Sequence, residues 1–190
     1  QRYMLRGKLT INNLSAAVTG VLLAFNLPVN IPLWMVAIGA LVAIGVAKMT
    51  FGGLGKNIFN PALVGRVFML IAFPVAMTTF PEAADAISGA TPLTQLADGL
   101  APAALQSTPM DWFIGTIPGS IGETSFVAIM IGAAILLFTG VASWRTMLSV
   151  FAGGYLMGLV FNLIGANDYM LLPAHPHLLL GGFAFGAVFM

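Results

Sequence analysis

TSFVAIMIGAAILLFTG (124–140) and, after a short break, WRTMLSVFAGGYLMGLVFNLI (144–164) decide the class of this protein. The first run has no charged residue, and the second has only Arg145 at its edge. At a rise of ~1.5 Å per residue, helices of ~17–21 residues extend about 26–31 Å. That matches the ~30 Å hydrocarbon core of a bilayer. The runs are continuous rather than short and alternating, which predicts an all-α, polytopic transmembrane bundle and excludes a membrane barrel.

The composition agrees. Hydrophobic residues make up 59% of the 190 and charged residues 7%, against ~25% charged in soluble domains. The mean hydropathy is +0.98. A net charge of +1 leaves no basic patch to neutralise phosphates, so nucleic acid is excluded as a partner. The absence of cysteine excludes disulfides and thiolate-held metal or iron–sulfur centres on this chain. The start at Gln1 and the apolar run at Met190 are read as the ends of a piece of a longer chain, and 1–190 as one membrane domain.

Working outward, residues 9–27 are apolar but carry Asn12, Asn13, Ser15 and Thr19. The clean part, 16–27, is short for a crossing and reads as a half-helix. Spans follow at 33–47, ended by Lys48, and at 58–73, interrupted by Pro61 and Arg66. A sixth begins at 177–190, so about six spans are visible. Residues 74–123 read as a long loop. Glycine is plentiful, and Gly153–Gly154 and Gly181–Gly182 are expected to let helices approach closely. Trp34, Trp112 and Trp144 fall at span ends, as an interfacial aromatic belt requires.

Tracing the crossings sorts the charges. Arg2, Arg6, Lys8, Lys48, Lys56 and Arg145 fall on one side; Glu82, Asp85, Asp98, Asp111, Glu123 and Asp168 fall on the other. The basic side is cytoplasmic by the positive-inside rule. The 74–123 loop is therefore extracytoplasmic.

Three places could carry chemistry. In Asp85-Ala-Ile-Ser88-Gly89-Ala90-Thr91-Pro92-Leu93, Ser88-Gly89 signals a turn, and Pro92 keeps Thr91 out of helical geometry. That leaves the Thr91 hydroxyl accessible to a modifying enzyme, although an ordinary loop turn has the same sequence. The second place is a glycine-rich turn with Gly52, Gly53, Gly55, Lys56, Asn57 and Asn60, leading to Arg66. It suits a phosphate but lacks the P-loop spacing; the asparagines could instead cap the span. Arg66 inside a span is either functional or snorkels to the interface. The third place, His175 and His177, lacks further ligands and reads as an interface anchor.

Gly52-Gly53-Leu54-Gly55-Lys56-Asn57-Ile58-Phe59-Asn60-Pro61-Ala62-Leu63-Val64-Gly65, then Ile71-Ala72-Phe73-Pro74, Met77-Thr78 and Ser88-Gly89-Ala90-Thr91-Pro92-Leu93, resemble the RnfD/NqrB family. Ile114-Gly115-Thr116-Ile117-Pro118-Gly119-Ser120-Ile121-Gly122-Glu123 and Leu180-Gly181-Gly182-Phe183-Ala184-Phe185-Gly186 extend the match over nearly the whole chain. These are membrane subunits of the Rnf complex and of the Na⁺-translocating NADH:quinone reductase. The resemblance implies about ten helices in two related halves, of which six are present here. It implies FMN held covalently by a phosphoester on Thr91, in the pattern D-x-x-S/T-G-A-T, with Asp85, Ser88, Gly89 and Ala90 around it. Pro92 and the Gly-Leu-Gly turn favour the Rnf branch, which moves electrons between ferredoxin and NAD⁺; the NqrB branch is the alternative.

The implied protein is a subunit of a translocase that moves Na⁺ or H⁺. Its partners are other membrane, flavin and iron–sulfur subunits and the lipid bilayer. Gly52, Gly53, Asn57, Asn60 and Arg66 are candidates for an ion path or for a second cofactor, riboflavin or quinone. Asn12, Asn13, Thr19 and Asn162 are further polar candidates for the ion path. A flavin-free solute transporter or a scaffold would be colourless.

Overall fold

The computed structural model describes residues 14–81, 88–89, 91–97, 108–166, 170–179 and 182–190. The regular elements among the described residues are helices, apart from one two-residue antiparallel strand pair. They fall into two compact units, Gln1–Thr78 with Met190, and Thr79–Phe189.

In the first unit, α1 is Ser15–Phe25 and α2 is Leu33–Ala40, which runs on as a π-helical stretch, Leu41–Met49. The next helices are α3, Pro61–Ala72, and α4, Pro74–Thr78. Asn60 starts α3: its Oδ1 accepts from the Ala62 N–H (2.9 Å) and the Leu63 N–H (3.4 Å). Pro61 takes the first helical position, where its missing N–H costs nothing. Gly52, Gly53 and Gly55 all have positive φ, and this is what makes the turn before α3 possible.

Leu23, Leu27, Ala43, Ala62, Met69 and Met77 form this unit's core. Helices α2 and α3 approach closely because both are cut away at the crossing. A Cβ on Gly65 would lie 2.8 Å from Ala43 Cβ, and one on Gly39 would lie 2.8 Å from Met69 Sδ.

In the second unit, β1 (Phe80–Pro81) pairs with β2 (Ser88–Gly89), Phe80 opposite Gly89 and Pro81 opposite Ser88. Then come α5 (Pro92–Ala97), α6 (Pro109–Ile114), α7 (Phe126–Phe138), α8 (Trp144–Ile164), α9 (Ala174–Leu179) and α10 (Phe183–Phe189). Ser125 caps α7 by accepting from the Ala128 N–H, 3.3 Å. At the other end, Thr139 Oγ1 donates to the Ile135 carbonyl (2.8 Å) before Gly140 turns the chain at φ 69°. Gly165, at φ 56°, ends α8.

Among the described residues, α8 is the one helix long and apolar enough to cross a bilayer. Its 21 residues rise about 31 Å, and its surface is almost wholly unburied. Ser15–Phe25, Leu33–Met49, Pro61–Ala72 and Phe126–Phe138 are shorter apolar helices.

Several expectations change. The last span is two short helices, α9 and α10, with Gly182 in the turn before α10. The 74–123 segment is not a plain loop: it holds α4, the strand pair, α5 and α6. Ser88-Gly89 is a strand and not a turn, because Phe80–Pro81 offers it backbone partners. Trp112 is not an interfacial residue; it is buried with Leu96, Ile117 and Leu172, whereas Trp34 and Trp144 are exposed. Gly154 does permit close packing, against the Phe183 ring, but Gly153 faces open space. Gly181 lies outside the described residues.

Candidate functional site

Thr91 stands at the threshold of α5. Its carbonyl accepts the Gln95 N–H (3.0 Å), so its backbone opens the helix. It is half-buried, and Pro92 behind it is buried. Leu93 packs on the core of Leu96, Trp112, Ile117 and Leu172, which anchors α5.

Facing Thr91 is the segment 115–124, fixed at both ends. At its start, Asp111 closes a capping box on α6. Asp111 Oδ2 accepts from the Thr108 hydroxyl (2.7 Å) and the Thr108 N–H (2.8 Å). Asp111 Oδ1 accepts from the Thr116 hydroxyl, 3.0 Å. These three donors hold the Asp111 carboxyl below the usual carboxylate range, the Thr108 hydroxyl most of all. Gly115 reverses the chain at φ 101°; a Cβ there would lie 2.8 Å from Ser125 Cα. Further on, the Glu123 N–H donates to the Ser120 carbonyl (3.1 Å), and the Ser120 N–H donates to Glu123 Oε1 (3.2 Å), closing a tight turn.

The result is a cleft. Thr91, Pro92 and Leu93 form one wall; Ile117, Pro118, Gly119, Glu123 and Thr124 form the other. Its empty volume is ≈ 220 Å³ counted to its open mouth. The space that a water-sized body can enter is only ≈ 10 Å³, about one water molecule, so the cleft is a narrow notch beside Thr91 and not a formed pocket for a whole ligand. Gly119 keeps the cleft open, because a Cβ there would meet Thr124 Cγ2 at 3.0 Å and Glu123 Cγ at 3.6 Å. Next to Gly119, the fully buried Ser120 Oγ has no hydrogen-bond partner among the described residues, a polar atom left over beside the cleft.

Of the residues expected around Thr91, Ser88 and Gly89 are in β2; Asp85 and Ala90 lie outside the described residues. The second group separates by role. Gly52 and Gly53 form the turn, and the Gly53 N–H donates to the Lys48 carbonyl, 2.9 Å. Asn60 Oδ1 is committed to capping α3. Asn57 Oδ1 is buried without a partner among the described residues. Arg66 Nη1 donates to Asn26 Oδ1 (2.9 Å), and Asn26 Nδ2 donates to the Leu22 carbonyl (2.7 Å). Asn162 Nδ2 donates to the carbonyls of Met170 and Leu172, strapping the segment after α8. Asn12 and Asn13 lie outside the described residues.

Three partners escape the sequence reading. Asn26 reads as part of a turn, but it lies seven residues from Thr19, two helical turns along one face. Glu123 reads only as an outside charge, yet it is 5% exposed in the cleft wall. Lys48 reads as a flanking cytoplasmic charge, yet it is 5% exposed. Its Nζ donates to Thr19 Oγ1 (2.8 Å) and to the Ser15 carbonyl.

Comparison with known proteins bears on the same residues. Relatives named for the NqrB subunit of the Na(+)-translocating NADH-quinone reductase align over 91% of the chain. That of Chromohalobacter salexigens is 48% identical over 178 residues. That of Klebsiella pneumoniae subsp. pneumoniae is 45% identical over 183 residues, and that of Haemophilus influenzae 45% over 184. The chain spans less than half of these relatives, 43–44% of their length. The Rnf branch favoured by Pro92 and the Gly-Leu-Gly turn is thus not the one these relatives are named for. A match to the profile of the NQR2, RnfD, RnfE family runs over residues 1–190, and the chain belongs to that family of membrane subunits.

Proposed function

We propose that this chain is the flavin-carrying part of the NqrB subunit of a Na⁺-translocating NADH:quinone reductase. FMN is joined by a phosphoester to Thr91 Oγ1. The observation that carries this reading is the half-buried Thr91 at the start of α5, facing a cleft that Gly119 keeps open. The names of the relatives support the reductase over the Rnf complex; an Rnf-type ferredoxin:NAD⁺ oxidoreductase is the second reading.

Bound FMN accepts one or two electrons and so links two-electron donors to one-electron carriers. This chain's residues hold the tether. Pro92 and Leu93 fix the backbone of Thr91 against the core, and the turn 120–123 walls the cleft. Glu123 aims one carboxylate oxygen at the Ser120 N–H. A flavin held on Thr91 would lie outside so small a cleft, where it could exchange electrons with partner subunits that bring flavin and iron–sulfur centres.

The same reading has six bilayer crossings in this chain, of about ten in two related halves, and residues 74–123 outside the cytoplasm in a bacterial inner membrane. The transported ion is Na⁺ in the reductase reading, and Na⁺ or H⁺ in the Rnf reading. Asn57, with its buried unpartnered Oδ1, is the strongest candidate for contact with a second cofactor such as riboflavin or quinone.

The mass of the Thr91 peptide, from the full-length subunit matured in its native host, tests the tether. It should carry FMN, and Thr91→Ala should lose flavin fluorescence from the denatured band. An unmodified mass, or fluorescence that survives Thr91→Ala, overturns the assignment.

A further inference from the structure

Helix α1 presents Ser15, Thr19 and Asn26 along one face, with spacings of four and seven residues. Its oxygens are what a hard cation such as Na⁺ would use in place of water. Each is already engaged by a cationic side chain. Lys48 Nζ donates to the Ser15 carbonyl and to Thr19 Oγ1; Arg66 Nη1 donates to Asn26 Oδ1.

The hydrogen-bond directions are those that an ammonium needs. Thr19 Oγ1 donates its own proton to the Ser15 carbonyl, 3.0 Å. It therefore offers Lys48 only lone pairs, and so does the Ser15 carbonyl. Both partners accept, which suits an ammonium with three donors and no acceptor. Lys48 does not reach out to water: it is 5% exposed and lies in the π-helical end of α2, where the wider turn re-aims side chains relative to a continued α-helix. Arg66 likewise reaches for the C-terminal end of α1, away from the end that Lys48 holds. The two seats, Thr19 and Asn26, are about 10 Å apart along α1.

We infer that Lys48, with Arg66 behind it, is an electrostatic gatepost that closes the α1–α2–α3 interface to cations. It occupies the oxygens that an ion would need and repels what approaches. This rests on the reading of the chain as part of an ion-translocating membrane complex, and it moves Thr19 and Arg66 from an ion path to its barrier. A cation crossing the complex passes elsewhere.

The test uses the intact complex with the full-length subunit in sealed vesicles, without redox substrates, and follows passive Na⁺ and H⁺ entry. Lys48→Met removes the charge at similar length. Leak should rise about tenfold or more, since a unit charge at contact distance in a low-dielectric site dominates a cation's energy there. Lys48→Arg, which keeps the charge, should stay tight. A Lys48→Met complex as tight as the parent overturns the inference, and so does equal leakage through Lys48→Arg. Lys48→Gln keeps a donor for Thr19 and is judged by the same criterion where Lys48→Met fails to assemble. If neither neutral variant assembles, the role is structural and the inference falls. Flavin on Thr91 is read separately from the denatured band, so failure of the tether and failure of the barrier are distinguishable.

Discussion

Gly65 sits where α3 crosses α2, and the structure sets what an alanine there would cost. The added Cβ would lie 2.8 Å from Ala43 Cβ, 3.1 Å from the Gly39 carbonyl oxygen and 3.3 Å from Leu23 Cδ1. Carbon pairs rest at ~3.5–4.0 Å, so the closest contact is too short by ~0.7 Å. Two of the three neighbours cannot swing away, one being backbone and the other a Cβ. Leu23, the third, is 1% exposed and has nowhere to go. The helices must separate, at an overpacking cost of ~1–3 kcal/mol. Against this, alanine gains ~1 kcal/mol over glycine as a helix residue.

Gly20 in α1 provides the control, because a Cβ there meets nothing within 4 Å. Gly20→Ala should collect the helical gain alone. The two variants then differ by the clash term, ~1–3 kcal/mol, or at least about 2–4 °C in melting midpoint for a chain of this size. Thermal unfolding of the detergent-solubilised protein, followed by tryptophan fluorescence, measures it. If Gly65→Ala melts at or above Gly20→Ala, the close approach of α2 and α3 is wrong.

Two further outcomes follow from the second unit. The Asp111 carboxyl is held below its unfolded value of about 4. The folded state therefore binds its proton more weakly, so the stabilisation is complete above that value and disappears as pH falls through the lower, folded one. Amide exchange over 109–117 should speed up in acid relative to the rest of the unit, and Asp111→Asn should abolish the difference; an acid-independent pattern in the parent would contradict the capping box. Asn162→Ala removes the donor to two carbonyls, an expected loss of ~1–3 kcal/mol. An unchanged melting midpoint would mean that the strap bears no weight.

The sequence by itself determined the class of the protein and the position of its main helices. Trp144–Ile164 was readable to the residue, because an uninterrupted apolar run between Ser143 and Gly165 leaves a helix no other place to begin or end. Asn60 was readable as a cap for a local reason, since a side chain within three residues satisfies the first free N–H groups, but the span read from 58 with Pro61 as an interruption in fact begins at Pro61. Thr91 was singled out by Pro92 and by the resemblance its motif carries, and its role is the proposal tested by the mass of its peptide.

What depended on residues far apart in the chain was not legible. Nothing local says that 117–124 folds over Thr91, that Trp112 is core and not interface, or that Ser88-Gly89 finds a strand partner in Phe80–Pro81. Charge counting assigned Lys48 a side of the membrane, but it could not reveal that the ammonium turns inward to Thr19. Periodicity reports how one segment meets its surroundings; which acceptor a buried donor finds is decided only when helices pack and every other route to water is closed.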